Sequence, residues 1–123
     1  KIAGIAKDIP DQEVFGPDSG DLLIVGWGST FGALRSAAEL LQGDGRSVSH
    51  AHVRYLFPFP ANLGDVLRRF RTVLVPELNL GQLSFVIRGT YLVDARSYGR
   101  VRGKPFRISE IVDEANRILA EGS

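Results

Sequence analysis

The run Leu22-Leu23-Ile24-Val25, closed by Gly26, constrains this chain more than any other feature. Side chains alternate between the two faces of a strand, so a strand that is apolar at every position must be covered on both sides. A sheet covered twice needs helices above and below it, and the sequence supplies helical spacing between its apolar runs. Phe31, Leu34, Ala38 and Leu41 recur at helical intervals, with Ser29 or Thr30 as the cap and Gly43 as the stop. Residues 48–53 have strand length, and Pro58 and Pro60 forbid a continuing central strand. Asn62 with Asp65 has the form of a capping box before a helix whose buried stripe is Leu63, Val66, Leu67 and Phe70. Val73-Leu74-Val75 reads as a second buried strand, Leu83, Val86 and Ile87 as a short helix, and Tyr91-Leu92-Val93 as a further strand. Ile108, Ile111, Val112, Ala115, Ile118 and Leu119 share one face of a last helix. Ser109 is its expected cap, with Glu110, Asp113 and Glu114 near the positive helix end. Strand–helix alternation of this kind implies right-handed crossovers and an α/β/α layering.

Residues 1–20 differ in character. Pro10, Gly16, Pro17 and Gly20 punctuate them, which predicts an extended connector or a short edge strand ahead of a domain at 21–123. The chain has 123 residues, 44% of them hydrophobic, enough for one core. It shows no apolar run of the ~20 residues that span a bilayer and no signal peptide, so a soluble, cytoplasmic protein is expected. Cysteine is absent, which excludes disulfides, a cysteinyl nucleophile and thiolate ligands to iron–sulfur clusters from this chain. Methionine is absent too and the sequence starts at Lys1, which reads as a fragment or a processed piece. A net charge of +1 gives no field that would gather nucleic acid.

Several motifs invite a chemical reading. The stretch from Gly26 to Gly32 follows a strand and opens a helix, the setting of a dinucleotide-binding turn. Its spacing, however, is GxGxxxG, and the next strand offers His50, His52 and Arg54 where an acidic ribose ligand would stand. Glycines that let helix and sheet approach are the stronger reading, and Trp27 between two of them suggests contact with another domain. His50 and His52 lie on one strand face, but zinc needs three or four ligands and no third is evident. Ser29 is not in a GxSxG elbow, and Gly103-Lys104 lacks the spacing of a phosphate-binding loop. Glu77 follows a buried run, so its carboxylate needs a partner. An interdomain salt bridge or a helix-cap ligand is favoured over a general base or substrate ligand. Asn79 and Gly81 suit a tight turn after it. Arg88, Arg96, Arg100, Arg102, Lys104 and Arg107 fall close together in sequence with only Asp94 against them. They form either a solvated loop or a surface for an anion or an acidic partner.

Four segments, residues 20–32, 52–63, 73–83 and 91–106, in this order and spacing, resemble the C-terminal end of the alpha subunit of a 2-oxoacid:ferredoxin oxidoreductase, nearest to the 2-oxoglutarate type. Residues 1–17 are similar to that family's connector. The resemblance covers essentially the whole chain. It implies a fold like the transketolase C-terminal domain, with a mostly parallel sheet and one antiparallel strand. It implies a parent complex that decarboxylates a 2-oxoacid, passes electrons through an iron–sulfur cluster to ferredoxin and forms acyl-coenzyme A. Thiamine diphosphate, magnesium and the cluster would then be held by other domains or by the beta subunit. No catalytic, cofactor-binding or metal-binding residue is carried over. The expected role is structural and interfacial, through Trp27, Ser29 and Thr30, through Glu77, Asn79 and Gln82, and through Arg96, Arg100, Arg102 and Lys104. The alternatives are a small domain binding a phosphate-bearing ligand, such as coenzyme A or a dinucleotide, and the equivalent domain of another thiamine-diphosphate enzyme.

Overall fold

A computed structural model of the protein describes residues 9–55, 59–77, 82–99 and 105–121. Strand β1 (Gly20–Trp27) leads through a 3-10 turn (Gly28–Thr30) into helix α1 (Phe31–Gly43) and strand β2 (Val48–Val53). Helix α2 (Leu63–Arg68), strand β3 (Phe70–Glu77), helix α3 (Gln82–Tyr91), strand β4 (Ala95–Gly99) and helix α4 (Ile108–Glu121) follow. The strands form one sheet in the order β2-β1-β3-β4, and every strand pair is parallel.

Connection handedness explains the layers. The chain steps one way from β1 to β2 and the other way from β2 to β3 and from β3 to β4. Crossovers of one hand therefore put α1 on one face and α2 and α3 on the other. The core divides accordingly. Leu23 and Val25 pack with Leu63, Val66, Leu67, Leu83 and Ile87 on the α2–α3 face. Leu22 and Ile24 pack with Leu34, Leu41, Ile111 and Ile118 on the α1–α4 face. All four residues of the β1 run are fully buried, each contributing about 1.5–3 kcal/mol of apolar transfer. Gly26 permits the close approach of α1: a Cβ there would stand 2.2 Å from Leu34 Cδ1.

Residues 12–17 of the lead-in lie along β2. Among the described residues the antiparallel pairing is the Phe15–His50 bridge. There the Phe15 N–H donates to the His50 carbonyl at 2.8 Å and the His50 N–H to the Phe15 carbonyl at 3.1 Å. Ser49 Oγ adds a bond to the Pro17 carbonyl at 2.6 Å.

Local expectations differ from the structure at five places. Phe70, expected on the stripe of α2, opens β3 instead, because α2 ends at Arg68. Tyr91-Leu92-Val93 is not a strand: Tyr91 closes α3 and β4 starts at Ala95. The Leu92 N–H ends the helix on the Arg88 carbonyl, with Leu92 left-handed at φ 57°. A three-residue apolar run does not distinguish a helix end from a strand. Thr30 does not cap α1; its Oγ1 donates to the Trp27 carbonyl at 3.0 Å and closes the 3-10 turn. Asn62 occupies the N-cap of α2 without capping it. Its amide instead accepts from the Gln12 N–H at 2.6 Å and donates to the Gln12 carbonyl at 3.1 Å, fastening the lead-in. Ser109 sits inside the first turn of α4, and the reciprocal cap is the Glu110 carboxylate accepting from the Arg107 N–H at 2.8 Å.

Candidate functional site

Strands β1 and β3 are neighbours whose chains leave in opposite directions, so their carboxyl ends mark the topological switch point. In open α/β sheets this is where a crevice forms and ligands bind. Here the two strand ends are joined to each other. Trp27, the last residue of β1, donates its indole Nε1–H to Glu77 Oε1 at 3.3 Å. Glu77, the last residue of β3, is 2% exposed. Its Oε1 also accepts from the Leu83 N–H at 2.7 Å, and its Oε2 from the Ser84 N–H at 3.2 Å. The carboxylate thus satisfies two orphan backbone donors at the start of α3 and places negative charge at the positive helix end. Both oxygens are engaged within the domain, which is the helix-cap arrangement favoured from the sequence.

The other expected interface residues divide around this point. Ser29 and Gln82 are exposed and Thr30 is buried, all at the carboxyl end of the sheet with Trp27 and Glu77. Asn79, Arg100, Arg102 and Lys104 lie outside the described residues. Arg96 belongs to β4, paired in register with Leu74 of the α1–α4 face, and forms a fork with Glu121 at 2.9 and 3.4 Å. With Arg46, Arg71 and Asp21 it lines a groove of about 420 Å³ at the amino ends of the strands. Arg88, by contrast, is exposed on α3. The described part of the basic cluster is therefore split between the two faces of the sheet, because Arg88 precedes a crossover end and Arg96 follows it.

One grouping was not legible in the spacing. His50 and His52 share the α1 face of β2, as alternation required, but they belong to an aromatic and cationic stack. The Arg35 guanidinium lies 4.0 Å from the Phe15 ring centre and 4.8 Å from that of Phe31. Its Nε donates to His50 Nδ1 at 3.3 Å, which leaves the His50 proton on Nε2. His52 Nε2 bonds the Gly28 carbonyl at 3.1 Å, steadying a residue at φ +67°, and the Phe31 ring meets His52 edge-on at 5.0 Å. Burial, then His52 and Arg35, lower the His50 pKa to about 3. Burial also lowers that of His52, with Arg54 and Arg35 adding to the shift and the Gly28 bond opposing it. Both imidazoles are neutral at pH 7. The signal that could have found the group is Phe31 with Arg35, one helical turn apart and facing the histidine strand. Among the described residues no group of three or more His, Cys, Asp or Glu side chains could hold a metal ion.

Comparison with known proteins decides the family. The family described as pyruvate:ferredoxin oxidoreductase core domain II matches residues 20–111. The chain belongs to that family. It is 52% identical over 112 residues to 2-oxoglutarate oxidoreductase subunit KorA of Mycobacterium tuberculosis, covering 90% of this chain and 17% of that relative. Its fold matches a solved 2-oxoglutarate:ferredoxin oxidoreductase from Magnetococcus marinus with a TM-score of 0.89 and 30% identity, over 95% of this chain and 21% of that one. That structure has 2-oxoglutarate, coenzyme A and succinyl-CoA bound. A split-gene transketolase matches with a TM-score of 0.64 at 18% identity, over 92% of this chain and 44% of that one, which shows a shared fold. The core domain II chain thus spans about a fifth of the length of its oxidoreductase relatives.

Proposed function

We propose that this domain is a structural and interface unit of the alpha subunit of a 2-oxoacid:ferredoxin oxidoreductase of the 2-oxoglutarate type. The parent complex would decarboxylate its 2-oxoacid oxidatively, form acyl-coenzyme A and reduce ferredoxin. Supporting this are the family match over residues 20–111 and the 52% identity to the mycobacterial subunit. Within the chain, the observation that carries the non-catalytic role is Glu77. The carboxylate at the switch point, where an α/β domain keeps its ligand chemistry, is consumed by Trp27 and the start of α3. No cysteine is available to ligate a cluster. Thiamine diphosphate, magnesium and the iron–sulfur cluster would be held by other domains of the alpha subunit or by the beta subunit, and residues 1–20 would connect this domain to the rest of its subunit. The complex would work in the cytoplasm.

In this reading the exposed rim at Ser29 and Gln82, with Trp27 behind it, meets a neighbouring domain or subunit. The test is the full alpha subunit produced with its beta subunit and assayed for 2-oxoglutarate- and coenzyme A-dependent ferredoxin reduction. Trp27→Ala is expected to lower the yield of assembled complex while assembled molecules keep their turnover. A complex that turns over no 2-oxoacid would refute the family activity. Unchanged assembly of Trp27→Ala would refute the role of the rim.

A further inference from the structure

Helix α3 and the residue that follows it leave two large apolar side chains outside the core. Leu83, Ser84 and Ile87 point inward and are buried. Phe85 on α3 and Leu92, the residue just past its end, are 72% and 88% exposed. Gly89 lies between them with nothing within 4 Å of the place a Cβ would take. Two exposed apolar residues thus flank a bare glycine along the outer end of α3. Arg88 beside the glycine is exposed. Leu92 adds a second oddity: it is the non-glycine residue with positive φ among those described, at 57°. That position after a helix is the ordinary place of glycine. A leucine there combines a disfavoured backbone with a side chain that is 88% exposed.

We propose that the Phe85–Gly89–Leu92 patch is a docking face for an apolar surface of another domain of the same alpha subunit, with acidic side chains opposite Arg88. The proposal rests on the family reading above. Relative length favours this occupant: the matched region is 17% of the mycobacterial subunit and 21% of the Magnetococcus marinus chain, so most of each polypeptide lies outside it. Size favours it as well. A free-standing dimer needs about 800 Å² from each partner, whereas two side chains of this kind supply on the order of half that. A small contact suffices when the chain itself supplies a high effective concentration.

The test uses the complete alpha subunit with its beta subunit, and compares Phe85→Asp, Leu92→Asp and Leu92→Gly with Leu40→Asp. Leu40 is 56% exposed on α1, on the opposite face of the sheet. The two α3 aspartate variants are expected to speed proteolytic cleavage between this domain and the rest of the subunit about tenfold or more. They should also lower the melting temperature by roughly 2–4 °C or more, while Leu40→Asp does neither. Leu92→Gly separates the cases by sign. A side chain held by a neighbour makes it melt lower, whereas a side chain in water makes it melt higher through relief of the backbone, and that rise overturns the proposal. Unchanged cleavage with halved particle mass on light scattering would mean contact between copies and overturn it too. Silent α3 variants in a complex that turns over 2-oxoglutarate refute the docking face alone; a complex without that turnover refutes the family reading instead.

Discussion

Glutamine at position 77 isolates the charge of the buried cap while keeping its shape. In the native chain, Oε1 takes the Leu83 amide and the Trp27 indole, and Oε2 takes the Ser84 amide. Glu77→Gln leaves one carbonyl for the Oε1 pair but points an NH2 at the Ser84 N–H, so two donors face each other in a buried site. The loss of one charge-assisted bond costs about 1.5–3 kcal/mol, and the loss of negative charge at a buried helix start adds about 0.3–2. Together, about 2–5 kcal/mol, they are a large part of the 5–15 kcal/mol typical of a folded protein. At about 1.4 kcal/mol per decade, amide exchange at Leu83 and Ser84 should rise between ~30-fold and ~4,000-fold. Trp27 is the single tryptophan, so its emission should shift as the indole's acceptor changes from a carboxylate to a neutral amide carbonyl. Native-state hydrogen exchange and fluorescence read both effects. Wild-type protection at Leu83 and Ser84, with unmoved emission, would show that the carboxylate does not hold the start of α3.

Three further outcomes follow from the packing and the titration. Ile24→Ala, at a fully buried position of the central strand, should cost about 2–5 kcal/mol in urea unfolding; a loss under 1 would mean the α1–α4 layer repacks. Gly26→Ala places a Cβ 2.2 Å from Leu34 Cδ1, so it should destabilise by about 1–3 kcal/mol, and Leu34→Ala should relieve part of that in a double-mutant cycle. The folded His50 pKa is lowered to about 3, so the unfolded state binds its proton first. Stability is then complete above pH 6.5 and falls, by up to about 1.4 kcal/mol per pH unit, as the pH drops from 6.5 toward 3. His50→Gln should flatten that limb of the unfolding profile, and an unchanged acid slope would exclude His50 as its source.

The layers were legible because they follow from strong signals. An all-apolar β1 run and the four helical stripes force a covered sheet, and the helix at 108–121 appears where its stripe placed it. Helix ends were much less legible. Ser109, Asn62 and Thr30 have the right chemistry for caps, yet Glu110 caps the start of α4 and Thr30 bonds the Trp27 carbonyl, both three residues away, while Asn62 is taken by the distant Gln12 backbone. The fate of Glu77 was half legible: its burial follows from the strand, but the partner amides lie six and seven residues later, a pairing no local pattern specifies. The arginine stack on Phe15 and Phe31 joins a lead-in residue to a helix and could not be read from either alone.

The short bridge from Phe15 to His50 bears on where this polypeptide can be cut. The outer rim of β2 is a row of peptide groups able to recruit a foreign strand. Phe15, the Pro17 carbonyl that holds Ser49, and the Gln42 amide reaching the Phe15 carbonyl together act as a guard over that rim. A shortened version beginning at residue 21 would keep every strand and helix and still lose its guard, so its first failing should be stickiness in concentrated solution rather than a loss of secondary structure.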